Sequence, residues 1–189
     1  MGFRDALFGK KKLAEPKLDR LFALATATVT LETELGLKST GDAAVTFKPL
    51  SSGDFDRVDS DTDELLKATA ASAGTTVERH TDTYGFEWVI VRDPDIEDLV
   101  TSVHLVASEL TAKGFGAQLL AAAFKFEGGE RPTYWIYGFK TGTFWPFIPL
   151  ADGKNRENAR ELELKAKLET ELPVEKDLTR WLGLFDAPI

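Results

Sequence analysis

The sequence predicts an α+β fold in which helices pack on one face of an antiparallel sheet. One observation is an apolar stripe at helical spacing between residues 95 and 113, which is typical of a helix buried on one side. A second is a pair of segments rich in β-branched and aromatic residues, 119–127 and 133–139, joined by the turn GGERP. The hairpin indicates that strands consecutive in the sequence pair antiparallel in the sheet, and the helix supplies a layer that packs on that sheet.

The helix at 95–113 has clear signals at both ends. Asp93 is the predicted N-cap, Pro94 suits the first helical position, and Gly114 follows the last helical residue. We expect its stripe to pack on a sheet that contains 86–91, 119–126 and 133–139. The stripe consists of Ile96, Val100, Val103, Ala107 and Leu110.

Other elements follow from the same patterns. Residues 85–92 read as a strand with two apolar faces. Residues 144–149 are predicted to lie at a sheet edge or to form an irregular extended segment, because two prolines interrupt them. An Ala-rich helix is predicted at 62–73. Helical C-terminal segments are predicted within 156–187: a charged helix at 156–172, and a second at 177–185 with an apolar stripe.

An internal similarity links the two halves of the sheet. LETELGLKSTGDAAVTFKPLSSGDF resembles ASELTAKGFGAQLLAAAFKFEGGERP in its glycines and in its strand ending in Phe-Lys. This similarity predicts two helix–strand–strand units, 26–58 and 94–139. It also favours a helix for 28–37, whose apolar residues fit a strand as well. We therefore predict a basic arm, 1–16, followed by one α+β domain, 17–189.

Composition excludes several classes of protein. The 189 residues have a hydrophobic fraction of 43% and no apolar run long enough to span a bilayer. The absence of cysteine excludes disulfides and thiolate metal sites. A formal net charge of −8 argues against a nucleic-acid groove. These features predict a cytoplasmic protein that does not bind nucleic acid.

No catalytic or metal-binding pattern stands out. His80 and His104 form no metal-ligand pair, and no nucleophile elbow is present. The acidic run 54–64 lacks the spacing of an EF-hand and is explained by a following helix N-terminus. We therefore expect no cofactor, no metal and no enzymatic activity. The alternative is an enzyme whose catalytic site uses carboxylates alone.

Aromatic residues crowd into 134–147. Side chains alternate between the two faces of a strand, so they cannot all face one core. Five are candidate partner-binding residues: Trp135, Tyr137, Phe144, Trp145 and Phe147. The alternative is that they pack beneath the helices with Trp181 and Phe185.

Four stretches carry a family resemblance: MGFRDALFGKKK, LDRLFALATATVTLETELGLKSTGDAAVTFKPL, YGFEWVIVRDPDIEDLVTSVHLVASELTAKGFGAQLLAAAFKF and YWIYGFKTGTFWPFIPL. The chain resembles the PspA-associated PspAB family from Met1 to about Phe185. The resemblance implies a non-enzymatic cytoplasmic accessory of the phage-shock envelope-stress response, linked to the membrane-remodelling protein PspA and often encoded near the membrane protease HtpX. The duplicated pattern also resembles the secretion-chaperone-like α+β fold.

Two functions are therefore expected. The first is an adaptor that binds a PspA-type coiled-coil protein or an HtpX-type membrane protease. The alternative is a chaperone-like module that holds a client segment on an aromatic-rich surface. The sequence does not predict the oligomeric state.

The N-terminal arm is a candidate for weak peripheral contact with the inner face of the membrane. Its apolar side chains fall close together on a helical face and a lysine triplet follows them, as in short interfacial anchors. The alternative is a solvated arm or a short helix docked on its own domain. The candidate contacts are Phe3, Leu7, Phe8, Lys10, Lys11 and Lys12.

Overall fold

The computed structural model describes residues 15–48 and 74–189. Within these ranges the elements are a 3-10 turn Asp19–Phe22, α1 Ala23–Thr33, β1 Lys38–Phe47, β2 Thr76–Thr81, β3 Glu87–Arg92, α2 Ile96–Ala112, β4 Leu119–Glu127, β5 Thr133–Gly138, β6 Thr143–Phe147, α3 Asn158–Leu168 and a 3-10 turn Leu178–Arg180. The strands form one antiparallel sheet in the order β2-β3-β1-β4-β5-β6. The predicted α+β class is confirmed.

Helix α2 covers the middle of the sheet, as its apolar stripe predicts. Val100, Val103, Ala107 and Leu110 are buried against β1, β3 and β4, and α1 packs beside α2 on the same face. The predicted N-cap is wrong by two residues. The Asp95 carboxylate accepts the amides of Glu97 and Asp98, whereas Asp93 accepts the Thr75 hydroxyl at 2.7 Å and the Asp95 amide. Asp93 therefore ties the start of β2 to the loop before α2.

Strand β6 lies at one edge of the sheet, as its prolines predict. Its other side is partly covered by chain from the C-terminal region. The Phe144 amide donates to the Pro173 carbonyl, and the Glu175 amide donates to the Phe144 carbonyl. This short bridge protects part of an edge that would otherwise be open to pairing with another chain.

Both faces of the sheet are covered, which changes the role of the aromatic residues. We define the helix face as the one under α1 and α2, and the back face as the opposite one. The five candidate partner-binding side chains are at most 4% exposed: Trp135, Tyr137, Phe144, Trp145 and Phe147. The first three share the helix face and the last two the back face. The prediction that some of these rings are exposed at the surface is therefore wrong. The rings are divided between two cores, one on each face of the sheet.

The C-terminal tail, residues 181–189, covers the back face as an irregular segment with a turn at 185–186. A helical C-terminal region is confirmed by α3, but the second predicted helix, 177–185, is limited to the 3-10 turn. Beyond the turn, the Leu182 carbonyl accepts the Trp145 indole N–H at 2.9 Å, and the Ile189 carbonyl accepts the Tyr134 hydroxyl at 3.1 Å. These carbonyls bind the sheet instead of forming helical hydrogen bonds.

The predicted repeat is present only in part within the described residues. The second unit follows as α2, β4 and β5, and the first begins with α1 and β1. The neighbours of β1 in the sheet are β3 and β4. The predicted second strand of the first unit, the helix at 62–73 and most of the arm lie outside the described residues.

Candidate functional site

A cavity of about 670 Å³ opens on the back face between the sheet and the C-terminal tail. Its floor is a row of small residues, Thr46, Ala121 and Gly138, which lie opposite one another on β1, β4 and β5. Trp88 extends this row on β3, and Trp145 stands on β6. We call this feature the back-face cavity. Its volume falls in the range typical of small-molecule or peptide-anchor pockets.

Gly138 lets the Trp145 ring pack closely against β5, because glycine has no side chain. A Cβ atom there would lie 2.9 Å from the Trp145 ring and 3.0 Å from the Thr141 hydroxyl. The Trp145 indole occupies that space and donates its N–H to the Leu182 carbonyl. The glycine, the tryptophan and the tail therefore act together to shape one wall of the cavity.

Large apolar side chains remain exposed around the opening. Tyr84 is 72% exposed, Leu182 64% and Phe185 39%, and all three line the cavity. Phe185 is held from below, since its ring meets the Phe147 ring edge-on with centroids 4.9 Å apart. An exposed apolar rim around an apolar cavity is the pattern of a binding surface.

The 82–86 turn forms another side of the rim and is fixed by Asp82. The carboxylate accepts the amides of Tyr84 and Phe86 and the indole N–H of Trp88, each at 2.9 Å. Burial alone raises the pKa of Asp82, but these hydrogen bonds outweigh it and hold the pKa below its usual value. Asp82 is thus ionised and fixes the conformation of this part of the rim, and both of its carboxylate oxygens already accept hydrogen bonds.

One polar group in the floor is unsatisfied. Thr46 is 3% exposed, and its hydroxyl has no hydrogen-bond partner among residues 15–48 and 74–189. A buried hydroxyl without a partner costs about 1–3 kcal/mol. The floor of the cavity is therefore a place where the fold carries a destabilising group.

An ion pair fixes the tail above the sheet. Arg156 Nε lies 2.8 Å from Glu161 Oε2, while its two terminal nitrogens donate to the carbonyls of Trp181 and Pro146. Burial raises the pKa of the Glu161 carboxyl, against hydrogen bonds from the Ile148 amide and Arg156 that lower it. Because Arg156 joins β6, α3 and the start of the tail, this pair positions the roof of the cavity.

A basic patch borders the cavity. It consists of Lys17, Arg20, Lys140, Lys176 and Arg180, which surround a depression of about 580 Å³ and are all exposed. Glu175 also lines the depression, but its carboxylate is buried and accepts the Thr143 hydroxyl and the Asp177 amide. Lys140 and Arg180 line both the patch and the cavity.

The remaining candidates predicted from the sequence lie elsewhere. His80 is exposed on β2, and the His104 ring is 5.0 Å from the Phe22 ring. The candidate membrane contacts of the arm and the acidic run 54–64 fall outside the described residues. Sequence reasoning did not find the basic patch, although Lys17 and Arg20 were visible near a basic arm. No local sequence pattern marks the other members of the patch, because they come from segments that are distant in the sequence.

Residues 15–48 and 74–189 contain no cluster of three or more side chains that could together hold a metal ion. No helix in that part of the chain has the length and apolar character needed to cross a bilayer.

Comparison with known proteins gives a match to a family model. The model for PspAB, described as PspA associated protein B, matches residues 1–189. No curated protein and no solved structure matches the chain.

Proposed function

Since the chain belongs to the PspAB family, whose description associates it with PspA, we propose that it is a non-enzymatic cytoplasmic adaptor. In this proposal the back-face cavity binds an apolar segment of a PspA-type membrane-remodelling protein. The observation that carries the proposal is the rim, where Tyr84, Leu182 and Phe185 present apolar surface to solvent around one opening.

The occupant we propose is the apolar stripe of an amphipathic helix, as a coiled-coil protein offers. The floor of small side chains leaves room for an inserted apolar group, and the exposed rim adds contact beside it. Each large apolar side chain that becomes buried contributes about 1.5–3 kcal/mol. Two such anchors therefore supply about 3–6 kcal/mol before the entropy of association is subtracted.

The charges of the rim suit the polar sides of such a helix. Asp186 lies at the opening together with Lys140 and Arg180. Both signs are therefore available to pair with the charged residues that flank an apolar stripe. This arrangement favours orientation of the bound helix more than raw affinity.

A chaperone-like function is the second candidate, and one observation favours it. The C-terminal tail already lies on the back face as a peptide without helix or strand, with Leu184, Ala187 and Ile189 packed against Ala44 and its neighbours. A client segment would use the same kind of contact. An HtpX-type membrane protease is a further partner to test at this surface.

The test is binding of purified PspA-type protein to the full chain, measured by calorimetry. We expect Tyr84→Ser and Leu182→Ser each to weaken binding by about 5- to 30-fold or more, because truncated anchors cost about 1–2 kcal/mol or more. Val29→Ser is the matched control, since Val29 is 69% exposed on α1 and does not line the cavity. Absence of binding by the unaltered chain, or equal effects of all three substitutions, would refute the adaptor proposal.

The same variants separate the competing functions. A chaperone-like module would bind a permanently unfolded protein as tightly as the PspA-type protein, and both rim variants would weaken that binding. Rim-dependent binding to a detergent-solubilised HtpX-type protease, with none to the PspA-type protein, would instead assign the cavity to the protease.

A further inference from the structure

We propose that the basic patch docks the folded domain on an anionic lipid surface. This inference concerns the surface that borders the cavity and shares Lys140 and Arg180 with it, and it does not depend on the proposed adaptor function. It rests on the clustering of charge and on the exposure of the cations.

The clustering is local and opposes the charge of the whole chain. The formal net charge is −8, yet three separate segments bring five cations to one depression. They are the segment around Lys17 and Arg20, the turn at Lys140, and the segment around Lys176 and Arg180. An acidic protein acquires an attractive contact with an anionic surface only where its cations are gathered in this way.

Nearby carboxylates neutralise only part of the patch. Arg180 Nε lies 3.3 Å from an oxygen of Asp177, and Asp19 flanks Arg20 in the first 3-10 turn. The buried Glu175 carboxylate lies 3.9 Å from Arg180 and is also hydrogen-bonded to Thr143. Within the described ranges Arg20, Lys140 and Lys176 have no ion-pair partner, so the patch keeps a positive excess.

The geometry favours a lipid surface over a single bound anion. A discrete phosphate site gathers converging donors around one point, with some of them buried. All five cations of the patch are instead exposed and spread around a shallow depression. Such an arrangement matches many mobile headgroups, each of which meets one or two side chains.

The expected strength follows from the number of cations. Each Lys or Arg close to an anionic membrane raises the binding constant about fivefold. Removing three of the five cations is therefore expected to weaken binding about 100-fold. Salt weakens the attraction further, because the Debye length is about 8 Å at physiological ionic strength.

The experiment is vesicle sedimentation with the full chain and an equimolar mixture of phosphatidylglycerol and phosphatidylcholine. The patch variant combines Arg20→Gln, Lys140→Gln and Lys176→Gln, which alters exposed side chains without ion pairs among the described residues. The control variant combines Lys48→Gln, Lys154→Gln and Lys167→Gln, which are also exposed and change the net charge equally. Pure phosphatidylcholine vesicles, inorganic phosphate and short duplex DNA complete the set of probes.

We expect the unaltered chain and the control variant to bind the mixed vesicles within a fewfold of each other, with the patch variant about 100-fold weaker. Pure phosphatidylcholine vesicles should not bind the chain. The proposal is overturned by equal binding of the two variants or by no binding of the unaltered chain. It is also overturned if millimolar inorganic phosphate removes binding at constant ionic strength, or if duplex DNA binds more tightly than the vesicles.

Discussion

Replacement of Arg156 by methionine tests how the tail is held over the back face. The substitution keeps the apolar stem and removes the guanidinium, which now contacts Glu161, Trp181 and Pro146. The Glu161 carboxylate is left buried, with a side chain 1% exposed and the Ile148 amide as its remaining hydrogen-bond donor among those described.

The expected cost is large for a single side chain. Removing one partner of a buried ion pair costs about 3–5 kcal/mol of stability, because the other charge stays buried without its counter-ion. For a domain of this size, each kcal/mol lowers Tm by about 2–4 °C, so the decrease in Tm should be about 6–20 °C. Arg160→Met is the control, because Arg160 forms an exposed pair with Glu163 on the same helix. That control should cost about 0.5 kcal/mol.

The pH dependence gives a second, sharper readout. Burial already raises the pKa of Glu161, and removal of Arg156 removes interactions that lower it, so the pKa rises further. A carboxyl whose pKa is higher in the folded state than in the unfolded state loses stability as pH rises through the folded value. The destabilisation caused by Arg156→Met should therefore be smallest below about pH 4.3 and grow toward neutral pH.

Urea unfolding at several pH values measures both effects. Arg156→Met combined with Glu161→Gln should recover part of the lost stability, because no buried charge is left unpaired. A loss of less than about 1 kcal/mol for Arg156→Met at neutral pH, or a loss that does not change with pH, would refute this account of the ion pair.

Three further substitutions test individual contacts. Thr46→Val should raise the free energy of unfolding by about 1 kcal/mol, since it removes an unpaired buried hydroxyl; a loss of stability in urea unfolding would show that the hydroxyl has a partner. Gly128→Ala should cost about 3 kcal/mol or more by the same measurement, because the φ of Gly128 is +121° and a Cβ there would lie 1.9 Å from the Gly36 carbonyl oxygen. The control Gly153→Ala should cost about 1 kcal/mol, because Gly153 has a φ of +64° and a Cβ there would have no neighbour within 4 Å. Asp82→Asn should lower stability at neutral pH and converge with the unaltered chain as pH falls below about 4, because the lowered pKa of Asp82 makes its contribution disappear in acid; a constant difference across pH would contradict this.

Local patterns predicted the elements whose contacts are local. The stripe of α2 and the β4–β5 hairpin are encoded by periodicity and by a turn within a few residues, so they were found with nearly their observed bounds. The position of β6 at an edge followed from the chemistry of proline. The N-cap of α2 was missed because Asp93 and Asp95 are equally suitable in sequence, and the Thr75 hydroxyl engages Asp93.

The candidate sites depend on distant contacts that a sequence pattern does not contain. Alternation correctly indicated that the aromatic residues of 134–147 cannot all face one core, but not that the C-terminal tail covers the second side. The tail reaches Tyr134 across 55 positions of sequence. The basic patch likewise joins Lys17 to Lys140 and Arg180.

The place of β1 at the centre of the sheet has a consequence for folding during synthesis. Both neighbours of β1 come later in the chain, β3 at 87–92 and β4 at 119–127. A nascent chain that ends before β3 would expose the Ala43–Phe47 segment with neither of these strands to pair with. Pairing over such separations is slow, and unpaired apolar strands aggregate. The first half of the protein therefore depends on the second to become stable, and truncated products are expected to collect in the insoluble fraction.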